Sequence, residues 1–292
     1  MTNLSDYQLR FPSLAFDLDT TLPRVRCGDN GAVELFLQGA HLSQFETRSG
    51  REILFMGDAA QFQAGKAIRG GVPICFPWFG PKKDDPQSAM HGFARTMEWE
   101  IVEADDKSLT LALSSDAQTQ SIWPHPFRLV YRVEFEGETL RLSMEIKNTG
   151  TSAFKFELAL HTYYRVADVS KIQIEGLEGK TYLDKTQDYA RKVQKGAVSI
   201  GGETDRVYLN AGGPITLHDD GNEVRISNLR GWRSTIVWNP WQEKARTMPD
   251  LGEDDWKHFV CIESGVVVEN AVELAAGGNY QLAIEIEAQA TI

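Results

Sequence analysis

Residues 127–150, FRLVYRVEFEGETLRLSMEIKNTG, constrain the fold more than any other stretch of this chain. Leu129, Tyr131, Val133 and Phe135 alternate with Arg128, Val130, Arg132 and Glu134. After a turn around 136–139, Leu140, Leu142, Met144 and Ile146 alternate with Arg141, Ser143, Glu145 and Lys147. Successive side chains on a strand point to opposite faces, so this spacing predicts a hairpin with one apolar and one polar face. The same alternation recurs at 33–37 (VELFL), 108–113 (SLTLAL), 223–229 (EVRISNL) and 280–288 (YQLAIEIEA), and 148–150 reads as a further turn. Long amphipathic helices are missing; short helical pieces are expected near 58–63 and 116–122. The pattern predicts an all-β chain, one large antiparallel β-sandwich spanning residues 1–292 as a single domain. Any ligand site would be assembled from separate strands and the loops that rim them.

Large all-β domains reach the length of this chain, and its 42% hydrophobic content suffices for a core. A net charge of −11 argues against a nucleic-acid partner, which needs a basic field. An anionic ligand would need a local basic pocket. Cys27, Cys75 and Cys261 are far apart and odd in number, which suggests neither a disulfide framework nor a zinc site. The start of the chain, MTNLSDYQLRFPSL, has no apolar signal core, and no apolar run reaches the ~20 residues of a membrane helix. The expectation is a cytoplasmic protein with no membrane association.

Residues 67–81, AIRGGVPICFPWFGP, break the alternation with Gly70, Gly71, Gly80 and three prolines. These residues suit neither a helix interior nor a central strand, so the stretch reads as a shaped loop. Its tools are Arg69 and the rings of Phe76, Trp78 and Phe79. In FKFELALHTYYRV (154–166), a regular strand would place His161 with Lys155, Glu157, Ala159 and Tyr163, opposite the apolar side. It is then either a surface histidine or an acid–base group. In HFVCIESGVVVENA (258–271), Glu263 reads as a strand-end charge before a turn or bulge at Ser264–Gly265, or as a partly buried base. MHGFAR brings His91 and Arg95 around Gly92, GGETDRVYLN carries Asp205, and WPHPFR fixes His125 beside Trp123. In WPHPFR, a rigid edge packing Trp123 is at least as good a reading as substrate contact. NPWQEKARTMPDLGEDDW (239–256) reads as a long loop. No nucleotide-binding, zinc-protease or serine-hydrolase motif is present. A cross-strand metal site on His91, His161 and Glu263 is the weaker use of those residues.

Taken in order, IRGG with VPICFPWFGP, HGFAR, WPHPF, ELALHTYYRV, TDRVY, WNPW and CIES resemble the hexose-6-phosphate mutarotases, or glucose-6-phosphate 1-epimerases, of the aldose 1-epimerase superfamily. The resemblance runs from about Phe11 to Ile286. It implies a galactose mutarotase-like supersandwich with an open cleft, no cofactor and no metal. It implies His161 as general acid, Glu263 as general base, and Asp205 and His91 as sugar contacts. Arg69 and Arg95 match the arginines associated with the sugar phosphate, and Lys82 and Lys83 are further candidates. The implied partner is a small-molecule hexose 6-phosphate, bound by a monomer. Anomer interconversion needs one base and one acid, expected on opposite sides of the reacting centre. The competing readings are a mutarotase for free aldoses, a non-catalytic sugar-phosphate binder, and a glycoside hydrolase or lyase. Hydrolysis usually calls for two carboxylates, and one good candidate is visible.

Overall fold

The computed structural model describes residues 4–17, 21–85 and 87–290; residues 1–3 of the amino-terminal stretch and Pro86 of the 81–90 loop lie outside these. Among the described residues, two eight-stranded antiparallel sheets carry the architecture, with a four-stranded and a two-stranded sheet beside them. The alternating 127–150 stretch forms the Phe127–Glu136 and Thr139–Asn148 strands. They pair from Phe127↔Asn148 to Glu136↔Thr139 across a two-residue turn. Left-handed Gly137 (φ 60°) opens that turn. Leu129, Tyr131, Val133, Leu140, Leu142 and Ile146 are fully buried, as their period requires. The strands expected at 33–37, 108–113, 223–229 and 280–288 are present at Val33–Phe36, Ser108–Ser114, Asn222–Arg230 and Asn279–Ala290.

The second sheet positions the site. In order, its strands are Ala190–Val193, Thr181–Asp184, Thr204–Tyr208, Ser234–Asn239, Phe259–Val266, Leu158–Leu160 and Ile74–Cys75, with Tyr163–Arg165 also pairing Phe259–Val266. One face of this sheet joins the main core. Leu160, Tyr164, Val237, Val260 and Ile262 share one buried cluster with Tyr131, Leu142 and Ile284 of the hairpin sheet. The other face carries a smaller apolar cluster of Cys75, Ala159, Val207 and Ile236. With both faces covered, the Phe259–Val266 strand is buried at all eight positions. Such strands lose the polar–apolar alternation of half-exposed ones.

One local expectation holds and two change. The 116–122 helix forms as Ala117–Ile122, because Asp116 and Thr119 make a reciprocal capping box. Residues 58–63 are not helical. Their backbone is bound by distant side chains instead: Asp58 N–H donates to Asp255, and Gln38 donates to the carbonyls of Gln63 and Lys66. The 239–256 stretch is not wholly loop, since Trp241–Ala245 forms a five-residue helix, too short for its period to be read.

Candidate active site

His161 stands at a break between the Leu158–Leu160 and Tyr163–Arg165 strands. Its N–H donates to the Pro73 carbonyl (2.9 Å), and the Tyr163 N–H donates to that of Gly71 (2.9 Å). On the other side, the Ile262 N–H donates to the Thr162 carbonyl (3.2 Å). The GGVP part of the shaped loop is therefore the strap that fixes His161. Gly71 cannot be replaced there: its φ is 58°, and a Cβ would lie 2.2 Å from the Leu42 carbonyl oxygen. The His161 ring stacks on Tyr163 (5.0 Å between centroids) and meets the edge of Trp238 (5.8 Å).

Glu263 lies inside the Phe259–Val266 strand, which runs through Ser264–Gly265 without the expected turn. Gly265 has a different reason: a Cβ there would lie 2.3 Å from the Leu158 carbonyl oxygen of the neighbouring strand. The register places Asp205↔Trp238↔Cys261 in one row and Val207↔Ile236↔Glu263 in the next. Paired residues and residues two apart share a face, so Asp205, Trp238 and Glu263 all project from the site face. His161 is 7% and Glu263 1% exposed, so neither is the surface group that a half-exposed strand would give.

The two side chains touch, with His161 Nε2 3.3 Å from Glu263 Oε1, rather than facing each other across a gap. His161 Nδ1 and Glu263 Oε2 are buried without a protein partner. Burial pushes the Glu263 carboxyl well up, and Asp205 adds to this against the pull of Lys185 and Arg95. Burial pushes the His161 imidazole well down, reinforced by Arg95 and Arg69. Both directions favour the neutral form of each group. His91 sits 5.6 Å from His161, edge to face. Its Nδ1 accepts from the Gly80 N–H (3.2 Å), which places the proton of neutral His91 on Nε2. Burial, then Arg95 and His161, lower its pKa as well. Asp205 forms an ion pair with Lys185 at 2.9 Å.

Arg69 and Arg95 line one cavity of about 420 Å³ with Lys66, Tyr163 and Asp250. Arg69 Nε and Nη2 donate to Asp250 at 3.0–3.2 Å, and Nη1 donates to the Tyr163 hydroxyl at 2.8 Å. Arg95 Nη2 donates to the Met90 carbonyl (2.6 Å), while its Nε is buried without a partner. The structure thus brings together all six sequence candidates: His161, Glu263, Asp205, His91, Arg69 and Arg95. Lys82 and Lys83 do not join them at the arginines. They line a separate cavity of about 630 Å³ with Trp78, Phe79 and Trp123, and Lys82 donates to the Ile122 carbonyl. His125 packs on Trp123 (4.6 Å), and Trp123 packs edge-on against Phe76 and Phe154, which is the packing reading of WPHPFR. Among the described residues, no group of three or more His, Cys, Asp or Glu is arranged to hold a metal ion. Sequence reasoning missed Lys185 and Asp250, which no motif flags, and gave Trp238 no role although it opens the WNPW motif.

The sheet topology and the buried His161–Glu263 contact define a mutarotase-like β-sandwich. A family model described as aldose 1-epimerase matches residues 24–287, and the chain belongs to that family of isomerases. A protein of Cenchrus ciliaris named "Putative glucose-6-phosphate 1-epimerase" is 34% identical over 278 residues, covering 90% of this chain and 83% of its own. One of the same name from Escherichia coli is 35% identical over 241 residues, 80% and 79% of the two chains. The crystal structure of a "putative mutarotase" from Salmonella typhimurium superposes with a TM-score of 0.86 at 29% identity, covering 99% of this chain and 100% of its own. A galactose mutarotase-like protein from Lactobacillus casei shares the fold at a TM-score of 0.70 and 16% identity, over 94% and 100% of the chains.

Proposed function

We propose that this chain interconverts the α and β anomers of a hexose 6-phosphate, glucose 6-phosphate first among them. One observation carries the phosphate part. Tyr163 stacks on His161 and accepts from Arg69, so the acid–base pair and the cationic cavity share a wall. The names of the relatives support the same substrate.

In this reading Glu263 takes the proton of the anomeric hydroxyl while His161 gives one to the ring oxygen. The C1–O5 bond breaks to an open aldehyde, C1 rotates about C1–C2, and closure reverses both transfers. The two oxygens are bonded to the same carbon, so an acid and a base in contact suit the reaction better than a pair set far apart. The pair needs one proton in excess of neutral imidazole and carboxylate. A raised Glu263 and a lowered His161 store that proton on the glutamate, and a phosphate that neutralises Arg69 and Arg95 removes their opposition to a charged His161. His91 Nε2–H and Asp205 serve as donor and acceptor for sugar hydroxyls. Arg69 and Arg95 hold the phosphate through charge-assisted bonds. Free, buried Cys27, Cys75 and Cys261 support a reducing, cytoplasmic setting. One apolar cluster running from Tyr7 to Ala288 supports a single domain, read here as a monomer.

The test is the approach of fresh α-glucose 6-phosphate to anomeric equilibrium, followed with a dehydrogenase specific for the β anomer. Wild type should accelerate it, and His161→Ala and Glu263→Gln should each lose about 10²- to 10⁴-fold. Tight binding without acceleration would replace the enzyme reading by a sugar-phosphate binder.

A further inference from the structure

The ion pair behind the catalytic carboxyl carries an inference that rests on the epimerase reading. We propose that Lys185 is a positioning residue of the reaction, holding Asp205 as an ionised, acceptor-only carboxylate directed at the sugar. Lys185 opens the short 3-10 turn Lys185–Gln187. That turn is capped by Asp184, which accepts from the Thr186 N–H and hydroxyl. The chain then passes through two consecutive left-handed non-glycine residues, Asp188 (φ 49°) and Tyr189 (φ 58°), before returning in Ala190–Val193. This unfavourable backbone is held by the hairpin around it. The hairpin tip directs Lys185 onto the site face. Its ammonium meets Asp205 at 2.9 Å and lies 5.4 Å from the centre of the Phe79 ring, which itself packs on His91 at 4.8 Å. The side chains of the pair are 19% and 13% exposed, so the contact is largely removed from solvent screening.

Asp205 and Glu263 are carboxyls on one buried face, and the charge of Asp205 pushes the Glu263 carboxyl further up. With no cation between them, one would take up a proton. A protonated Asp205 would no longer be a pure acceptor, and a more firmly protonated Glu263 would be a poorer base. Lys185 faces both carboxyls, the Tyr189 phenol, and the His91 and His161 rings. The other charges facing Asp205 are Lys244 and Glu203, and these already pair with each other at 2.6 Å on a more exposed rim. Lys185 is therefore the cation that compensates Asp205. Burial alone pushes Asp205 up and Lys185 down; their pairing keeps the ammonium charged and opposes the rise of the carboxyl.

The experiment is a double-mutant cycle of Lys185→Met and Asp205→Asn, with Lys185→Arg and Lys185→Gln alongside. Each variant is assayed with α-glucose 6-phosphate from pH 5 to 9, with thermal melts to confirm folding. Lys185→Met should lower kcat/KM about 10- to 100-fold. It should also move the acid limb of the pH profile to higher pH, because Asp205 now protonates earlier. Lys185→Gln should show the same loss and the same shift of the limb, and stands in for Lys185→Met where that variant fails to fold; Lys185→Arg should restore most of the loss and the limb. In the Asp205→Asn background, Lys185→Met should cost less than about threefold. An unmoved acid limb, or an equal loss in both backgrounds, overturns the assignment. Absence of acceleration by wild type overturns the epimerase reading instead. The same cycle read by calorimetric binding of glucose 6-phosphate then decides Lys185, and an equal loss in both backgrounds overturns it there too.

Discussion

Arg95→Ala should separate the phosphorylated substrate from its free sugar, and comparison with Arg69→Ala should show how the pocket is balanced. Lys66, Arg69, Arg95 and Asp250 give the cavity a formal charge of +2, opposite to a phosphate dianion, in a chain whose net charge is −11. The two arginines are not equivalent. Most of the Arg69 guanidinium is already engaged, by Asp250 and Tyr163. Arg95 has one contact, to the Met90 carbonyl, and an unpartnered Nε. Hydrogen bonds to charged groups contribute about 1.5–3 kcal/mol each, so two from Arg95 to a phosphate are worth ~3–6 kcal/mol. The cavity is open to solvent, and the lower end applies after screening, ~3 kcal/mol. That corresponds to about a 10²-fold rise in KM for glucose 6-phosphate, with free glucose changed less than about threefold. Arg69→Ala should cost at least as much, because it leaves the Asp250 carboxylate uncompensated in the proposed phosphate pocket. Adding Asp250→Asn should then recover about tenfold of the loss, which simple deletion of a contact would not allow. Initial rates of anomerisation over a range of both sugars measure all three. An equal rise in KM for free and phosphorylated glucose would refute the phosphate assignment, as would no recovery in the double variant. Either result would favour the free-aldose reading.

Two further outcomes follow from the backbone and the buried histidines. Gly92 has φ 74°, and a Cβ there would lie 1.9 Å from the Phe76 carbonyl oxygen; Gly92→Ala should cost ~3 kcal/mol and displace neighbouring His91. A melting temperature lowered by roughly 6–12 °C, together with weaker sugar binding, is the expected result of a thermal scan and calorimetry. His41, 1% exposed, is held at a pKa of about 3 by burial and then by Arg95. A depressed folded-state value gives stability that is complete above the unfolded pKa of ~6.5 and is lost as pH falls toward 3. Raised Glu263 and Asp205 act in the opposite sense, so the comparison is with His41→Gln. Urea unfolding should show the difference between wild type and variant changing by about 2 kcal/mol between pH 7.5 and 5, against the wild type at the lower pH. A difference independent of pH would refute the assigned shift.

The fold was legible wherever one face of a strand meets water. The 127–150 hairpin repeats its alternation over two ten-residue strands, and no tertiary contact is needed to read it. The short helix near 116–122 was expected for a similar reason, since it is held locally, by a cap whose two bonds close within three residues. The site strand escaped the same reading because it is covered on both faces. All eight residues from Phe259 to Val266 are buried, so no polar–apolar alternation marked the face of Glu263, and Gly265 mimicked a turn while in fact accommodating a neighbouring strand. His161 escaped it because its position is set by Gly71 and Pro73, some ninety residues earlier, and not by a regular strand through 154–166. The family resemblance supplied what periodicity could not, since it carries residue types in order regardless of which face they occupy. Its reach ended at the residues that compensate charge. Lys185 lies twenty positions from Asp205, and Asp250 lies 181 from Arg69; each is an ordinary charged residue in a loop. A buried charge needs an opposite partner somewhere in space, but nothing in its own sequence neighbourhood says where. Such partners, and the ionisation states they enforce, are therefore the part of an active site that the structure contributes most to seeing.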